Sequence, residues 1–565
     1  MATAVARRRR SVTLRRRSVL ARRRSGPVGR TSTFARLGHA ALVLIPALFL
    51  GVLFCWPVGA LVHRAVEVAG AGDSVPELLR RTRALDLLGV TLAQAGASTV
   101  AALLLAAPIV WLAARLPGAG SVVLTVLVTV PFVLPTVVVG VAFRALFSGP
   151  LAGLGIGDGW GAVLAAHAFL NVAVVVRVVG ATWRSLDTRT AEAARTLGAT
   201  RWRAWRTVTL PRLIPSIAGA AALVFLFCST SFGVIIILGG GRLRTLETEI
   251  YTQAIGYFRI PEAVALSLLQ IVVVVAVLVM TRVVGGAAGG TSGEGRRPAP
   301  VRGVEWIAVG AATIWAVLAL AGPIVVLALR SVRPSAGGSW TLAGYRSLAD
   351  PVNGVTPLET LRYSLTTAVL AMLIAVVVGL LAAIALHHTH GVAGAIGNLI
   401  AMIPLGVSAV TLGFGYLIVL ASLPSDVAAS PLVIPCVQAL IAVPVVIRII
   451  IPALESVPPR LREAAATLGA GPVRVFVTVD LPMIGRSVTA AGGFAFVMAL
   501  GEFGATSFLA RADTTTMPVL IGSALNRPGA DALATAMAAS MLLVAVTTAA
   551  VVAVEVFRPR SGTLI

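Results

Sequence analysis

From about residue 40 onward the chain alternates long apolar runs with short polar breaks, many of them arginine-bearing. A helix needs roughly 20 apolar residues to cross the hydrocarbon core of a bilayer. Runs of that order recur near 40–62, 88–114, 120–147, 161–182, 216–238 and 262–284, and again near 304–329, 364–386, 395–422, 431–453, 487–510 and 532–556. The pattern predicts an all-α polytopic membrane protein with two six-helix halves and about twelve spans. The organisation expected is an arginine-rich tail at 1–38, a first domain at 39–285, a flexible Gly-, Ser- and Pro-rich linker at 286–303 and a second domain at 304–560.

The polar breaks carry an internal repeat. Residues 192–211 read EAARTLGATRWRAWRTVTLP and residues 463–482 read EAAATLGAGPVRVFVTVDLP, a separation of 271 in a chain of 565. Arg177 and Arg448, and Phe232-Gly233 and Phe503-Gly504, match at the same separation, while Pro131 and Gly140 match Pro404 and Gly413 at 273. A repeat this long indicates a duplicated unit. Six spans per half give both copies the same orientation, so the repeat is parallel, with its axis along the membrane normal.

Composition agrees: 58% of residues are hydrophobic and 12% charged, against about 25% charged in a soluble domain. The formal charge of +24 does not point to nucleic acid. Arg7 to Arg36 supplies twelve arginines and no acid, half the excess, and abuts the first span. Such segments stay on the cytoplasmic side and are drawn to anionic lipid. With Arg558 and Arg560 at the other end, both termini are expected to be cytoplasmic, in the inner membrane of a bacterial cell. Arg184, Arg189, Arg195, Arg201, Arg203, Arg206 and Arg212 crowd the first repeated segment and place it on the same face. The outer segment 63–87 also holds arginines, accompanied by Glu67, Asp73, Glu77 and Asp86. Cys55, Cys228 and Cys436 lie in apolar runs without metal spacing.

The chain has no lysine. A phosphate-binding loop of the usual kind needs one, so any ATP that drives this protein is bound by another polypeptide. No cofactor and no catalytic residue are expected.

Each repeated segment reads as a short helix, a turn and a second helix. Glu192 near a helix start is favoured by the macrodipole, and the alanines allow close contact with a partner. Gly198 and Gly469 permit a turn that a β-carbon would hinder. Trp202, Trp205 and Val208, matched by Val473, Phe476 and Val479, form one apolar face. Leu210-Pro211 and Leu481-Pro482 are expected to end that helix, because the residue before proline leaves the α region.

Here the chain resembles the permease subunits of ATP-binding-cassette importers. Their hallmark is EAA, three residues, G, nine residues, I, one residue, LP; both copies match, with Val208 and Val479 in place of Ile. The resemblance implies the type I, MetI-like fold. It implies that Glu192, Ala193, Ala194, Gly198, Leu210 and Pro211, with Glu463, Ala464, Ala465, Gly469, Leu481 and Pro482, form coupling loops that dock on two copies of a cytoplasmic ATPase subunit. A solute-binding protein would deliver substrate from outside. The stretches Thr230-Ser231-Phe232-Gly233, Leu238-Gly239-Gly240, Thr245-Leu246-Glu247, Ile250-Tyr251 and Gly501-Glu502-Phe503-Gly504-Ala505-Thr506 are similar to the fused iron(III) and thiamine subfamily.

Other polar residues have competing readings. Glu502, placed inside the eleventh span, either lines the path of a cationic substrate or is hydrogen-bonded near the outer mouth; Ser231 is its counterpart, and Phe232 and Phe503 flank them. Arg177 and Arg448 suit snorkelling or pairing with the coupling region. His167, Gln438 and Asn171 suit interhelical hydrogen bonding. His387-His388-Thr389-His390 suits a solvated loop more than a metal site. Tyr251, Tyr257 and Tyr416 suit interfacial anchors. A secondary transporter driven by protons or ions also has two six-span repeats, but gives no reason for paired Glu-Ala-Ala loops.

Overall fold

The computed structural model describes residues 33–70, 74–116, 118–187, 189–285, 303, 305–334, 338–351, 354–389, 391–511 and 514–557. The tail before residue 33, nearly all of the linker, Asp73, His390, Arg558 and Arg560 lie outside the described residues. The elements are helices. In the first half they are α1 (Leu42–Gly70), α2 (Ala84–Ala113), α3 (Gly118–Val133), α4 (Thr136–Phe147), α5 (Trp160–Ser185), α6 (Arg189–Thr196), α7 (Arg201–Ser229), α8 (Gly233–Leu238), α9 (Leu246–Tyr251) and α10 (Ile260–Gly285). The second half repeats the order: α11 (Glu305–Val332), α12 (Pro357–His388), α13 (Gly391–Gly406), α14 (Ala409–Ala421), α15 (Val433–Glu455), α16 (Pro459–Thr467), α17 (Pro472–Leu500), α18 (Thr506–Leu509), α19 (Met517–Leu525) and α20 (Ala530–Phe557).

Among the described residues ten helices are long and apolar enough to cross a membrane, and two bent pairs bring the number to as many as twelve. The expected third and ninth spans are those pairs: α3 and α4 meet at 101°, α13 and α14 at 84°. At the first bend Pro135 is extended (ψ 134) and has no N–H to continue the ladder. At the matched position Ser408 is equally extended (ψ 135), and its hydroxyl accepts the N–H groups of Val410 and Thr411. The same backbone turn is thus made with different chemistry. The expected fifth and eleventh spans also shift: α7 and α17 begin inside the repeated segments and end at Ser229 and Leu500, so Glu502 lies in the turn beyond α17 rather than within a span.

Helix contact inside a membrane depends on close packing of small residues rather than on escape from water. On α2 the buried stripe is Thr91, Ala95, Ser98, Ala102 and Ala106, facing α5; on α12 it is Ser364, Thr367, Ala371, Ala375 and Val378, facing α15. At Gly379 a β-carbon would sit 2.6 Å from Val446 Cγ1.

The halves are interlocked through their first helices. Tyr416 on α14 donates its hydroxyl to the Leu53 carbonyl on α1. In return the α11 side chains Trp315 and Arg330 donate to the carbonyls of Leu105 (3.1 Å) and Ser148 (3.2 Å). The repeat extends to individual contacts. The Thr91 hydroxyl accepts the Leu246 N–H that opens α9, and the matched Ser364 hydroxyl accepts the Met517 N–H that opens α19.

Candidate functional sites: the two repeated loops and the contact between the halves

The two repeated segments fold alike. In the first, α6 ends in a turn where the Leu197 N–H reaches the Ala193 carbonyl and the Ala199 N–H reaches Ala194; in the second, Leu468 reaches Ala464 and Ala470 reaches Ala465. Gly198 (φ +88) and Gly469 (φ +82) supply the left-handed residue these turns need. Leu197 and Leu468, at the tips, are each 88% exposed, and Glu192 and Glu463 are exposed beside them. A large apolar side chain is thus displayed at each of the two matched tips.

Of the expectations about these loops one holds and one changes. Glu192 does lie in the first turn of its helix. The second helix starts earlier, at Pro459, so Glu463 sits beyond the first turn and gains less from the dipole. The Leu-Pro pairs do not end the second helix. Leu210 keeps α geometry (φ −58, ψ −46), and α7 runs on through Pro211. A π turn at Trp205–Thr209 precedes the proline, with the Leu210 N–H bonded to the Trp205 carbonyl; the second half repeats this at Phe476–Asp480 with Leu481 bonded to Phe476. The widened turn has already broken the ladder that proline would interrupt.

The loops are anchored differently. In the second, Arg462 pairs with Asp480 (2.6 Å) and donates to the Leu454 carbonyl (2.9 Å). In the first, Arg212 donates to Thr190 (2.9 Å), while Arg201 (2.8 Å) and Arg115 (3.4 Å) both reach Glu305 at the start of the other half. From Glu305, α11 runs to the far end of the bundle, and α12 returns to the loop end.

At the far end the halves meet. Phe232, three residues beyond the end of α7, and Phe503, three residues beyond the end of α17, stack with centroids 5.2 Å apart and planes 21° apart. Tyr251 packs on Phe232 (5.2 Å) and edge-on to Phe508 (5.4 Å). Both phenylalanines are buried, so the two halves are sealed at this point.

The residues flanking the stack are held by local partners. The His167 ring lies between the Gln94 amide (2.7 Å) and the Ser98 hydroxyl (3.0 Å) at Nδ1 and the Ser231 hydroxyl (2.8 Å) at Nε2. The Asn171 amide donates to the His167 carbonyl one turn back in the same helix (2.9 Å); the interhelical contacts expected here are those of His167 with Gln94 and Ser231, while the Gln438 amide oxygen is buried without a hydrogen-bond partner. Glu502 accepts the N–H groups of Ala505 (2.7 Å) and Thr506 (2.9 Å), capping α18 with both oxygens. Arg177 donates to Thr129 (2.8 Å). The His388 ring Nδ1 lies 2.8 Å from the Ile384 carbonyl of its own helix. Among the described residues no three His, Cys, Asp or Glu side chains are grouped to hold a metal ion. Of the three tyrosines expected at the interface, Tyr416 is buried and Tyr251 is part of the aromatic cluster; Tyr257 is 60% exposed, with Arg259 over its ring.

Sequence reasoning missed one site. Glu247 on α9 is fully buried and accepts hydrogen bonds from Gln270 on α10 (2.6 Å) and, across the halves, from Ser408 (2.5 Å). An acid set between two apolar runs was the available signal, obscured because Glu247 also belongs to a family-like stretch.

A family described as the binding-protein-dependent transport system inner membrane component matches this chain twice, over residues 98–287 and 375–561. The chain belongs to this family. It is a permease of the ATP-binding-cassette importer class with both halves fused in one polypeptide, a multi-pass protein similar to inner-membrane permeases; permeases of this family in general work with ATP-binding and solute-binding partners. Similar proteins include the thiamine transport system permease of Brucella abortus (strain 2308), 26% identical over 488 residues covering 82% of this chain and 86% of that one. The thiamine transport system permease of Escherichia coli K12 is 25% identical over 376 residues, 65% of this chain and 68% of that one. The sulfate transport system permease CysT of the same organism is 29% identical over 201 residues, 34% of this chain and 72% of that one.

Proposed function

We propose that this permease carries thiamine, or a closely similar organic cation, from a solute-binding protein into the cytoplasm. Of the two cargoes expected from sequence, the relatives that span most of the chain bear the name thiamine; the sulfate relative spans a third of it.

In this reading the two domains, bounded near 39–285 and 304–560, each present one coupling loop to one of two ATPase subunits on the cytoplasmic side. The observation that carries it is the pair of matched tips: Leu197 and Leu468 stand out equally from turns of the same geometry. Glu192 and Glu463 pair with basic residues of the ATPase. When ATP draws the two subunits together the loops follow, and the halves part at the far end. ATP binding can drive this only by making different contacts in the two states. The stack of Phe232 on Phe503, with Ser231 and Glu502 beside it, then opens as the substrate path.

Inverted vesicles are the wrong sidedness for binding-protein delivery, so the test uses right-side-out vesicles or proteoliposomes with ATP enclosed. Labelled thiamine uptake should require both ATP and the binding protein. Uptake driven by a proton gradient alone would sink this reading in favour of a secondary transporter. Glu192→Lys with Glu463→Lys should abolish stimulated ATP hydrolysis while the permease still inserts; unchanged stimulation would end the docking assignment.

A further inference from the structure

We propose that Glu247 is a cation-reading group of the permease, exposed to substrate when the two halves part. The inference rests on the organic-cation reading above and deepens it.

In a chain with 46 basic residues, Glu247 is fully buried, and among the described residues no arginine or histidine stands within ion-pair distance of it. Its hydrogen-bond donors are neutral: the Gln270 amide and the Ser408 hydroxyl. The Gln270 amide oxygen beside it is buried without a hydrogen-bond partner. A buried carboxylate normally needs a paired charge. Here the compensation is two short hydrogen bonds, one of which crosses from the other half.

Its place in the fold is next to the seal. Tyr251, one turn further along α9 and on the same face, packs on Phe232. On the other side, Ala409 follows Ser408 and lies against Gly504, where a β-carbon would come within 2.9 Å; Gly504 follows Phe503. Separation of the halves pulls Ser408 off the carboxylate and Phe503 off Phe232 in one movement. The opened gap then presents a carboxylate that has lost a donor, a free amide oxygen and the faces of Phe232, Phe503 and Tyr251. Carboxylate and aromatic faces together recognise a flat organic cation. Glu502 cannot serve in this way while both its oxygens cap α18. The site is also one-sided: Pro518 and Pro135 stand at the positions matching Glu247 and Ser408, so the duplication did not supply a second copy.

The test is uptake of labelled thiamine by proteoliposomes containing the full importer with its ATPase and binding protein. Glu247→Gln, which keeps the size and one acceptor oxygen and turns the other oxygen into a donor that Ser408 can accept, should lower uptake at least tenfold. Glu247→Asp should recover at least half of it, because it restores the charge. Ser408→Ala, which removes the cross-half donor together with the acceptor that caps α14 but leaves the charge, should lower uptake less than threefold. Uptake by Glu247→Gln within twofold of wild type, or equal losses for Glu247→Gln and Ser408→Ala, overturns the proposal. Wild-type proteoliposomes that take up no thiamine overturn the cargo reading and this one with it, whereas thiamine uptake that survives Glu247→Gln overturns this one alone.

Discussion

Phe232 and Phe503 are symmetry mates of the internal repeat, 271 residues apart, and they lie ring on ring with centroids 5.2 Å apart. Matched residues of a twofold repeat touch one another only close to the axis that relates them. The stack therefore marks where the pseudo-twofold axis leaves the bundle at the end away from the repeated loops. In the proposed reading the substrate passage follows that axis, with the two rings across it.

Truncating either ring opens the seal. Phe232→Ala and Phe503→Ala should each raise ATP hydrolysis in the absence of binding protein. Each should also destabilise the folded permease by about 3 kcal/mol, as deletion of a buried aromatic does. A double-mutant cycle should return a coupling of about 1 kcal/mol between the two rings. A coupling of zero in thermal unfolding of the purified permease would mean that the rings contribute separately.

The leucines at the loop tips should behave in the opposite way. Leu197 and Leu468 are 88% exposed, so Leu197→Asp and Leu468→Asp should change thermal stability by less than about 0.5 kcal/mol. Stimulated ATP hydrolysis should fall at least tenfold in the double variant and less in each single one. Co-purification of the ATPase subunit checks the cause: retention of the subunit with full stimulation would show that the tips are not covered by it.

Much of this was legible in sequence, and the reasons differ from site to site. The spans are read from uninterrupted apolar length, and the loops from a repeat whose polarity stands out against apolar surroundings. The turns at Gly198 and Gly469 follow from a backbone requirement that glycine alone meets at low cost. The bends at Pro135 and Ser408 were not legible, since one is made by a missing donor and the other by an added acceptor. Proline after Leu210 misled, because the π turn before it is a feature of the hydrogen-bond ladder with no side-chain signature. Glu247 stayed hidden because its partner Ser408 is 161 residues away. Glu502 allowed two readings in sequence, and its carboxylate, occupied by amides three and four residues on, fits the hydrogen-bonded one.

The tip turns make a local test of the repeat. Gly198→Ala and Gly469→Ala meet nothing within 4 Å, so any cost comes from the left-handed backbone alone. That cost is about 1 kcal/mol for a residue with a β-carbon. Amide exchange at Ala199 and Ala470, whose N–H groups close the two turns, should quicken about fivefold in the respective variant. The asparagine variants should lie between alanine and wild type, since asparagine tolerates this region better. Equal exchange in all three would mean that the turns do not depend on the glycine conformation.

Gly233 and Gly504 occupy matched positions at the seal, and the residues packed against them differ. A β-carbon on Gly233 would overlap the Thr136 hydroxyl and lie 3.3 Å from Phe503 Cδ1; on Gly504 it would lie 2.9 Å from the Ala409 β-carbon. Thr136 and Ala409 are themselves matched, at the separation of 273 shared by Gly140 and Gly413. Gly233→Ala should therefore destabilise by about 2 kcal/mol through overpacking and push the Phe232–Phe503 contact apart, raising ATP hydrolysis without binding protein. Thr136→Ala removes the overlapping oxygen and makes the first half resemble the second. In the Gly233→Ala background it should recover about half of the lost stability. Recovery is partial because the Thr136 β-carbon, at 3.0 Å, remains. Thermal unfolding of the four proteins of this cycle decides the point. Additive losses with no recovery would show that the cost of Gly233→Ala arises elsewhere than at Thr136.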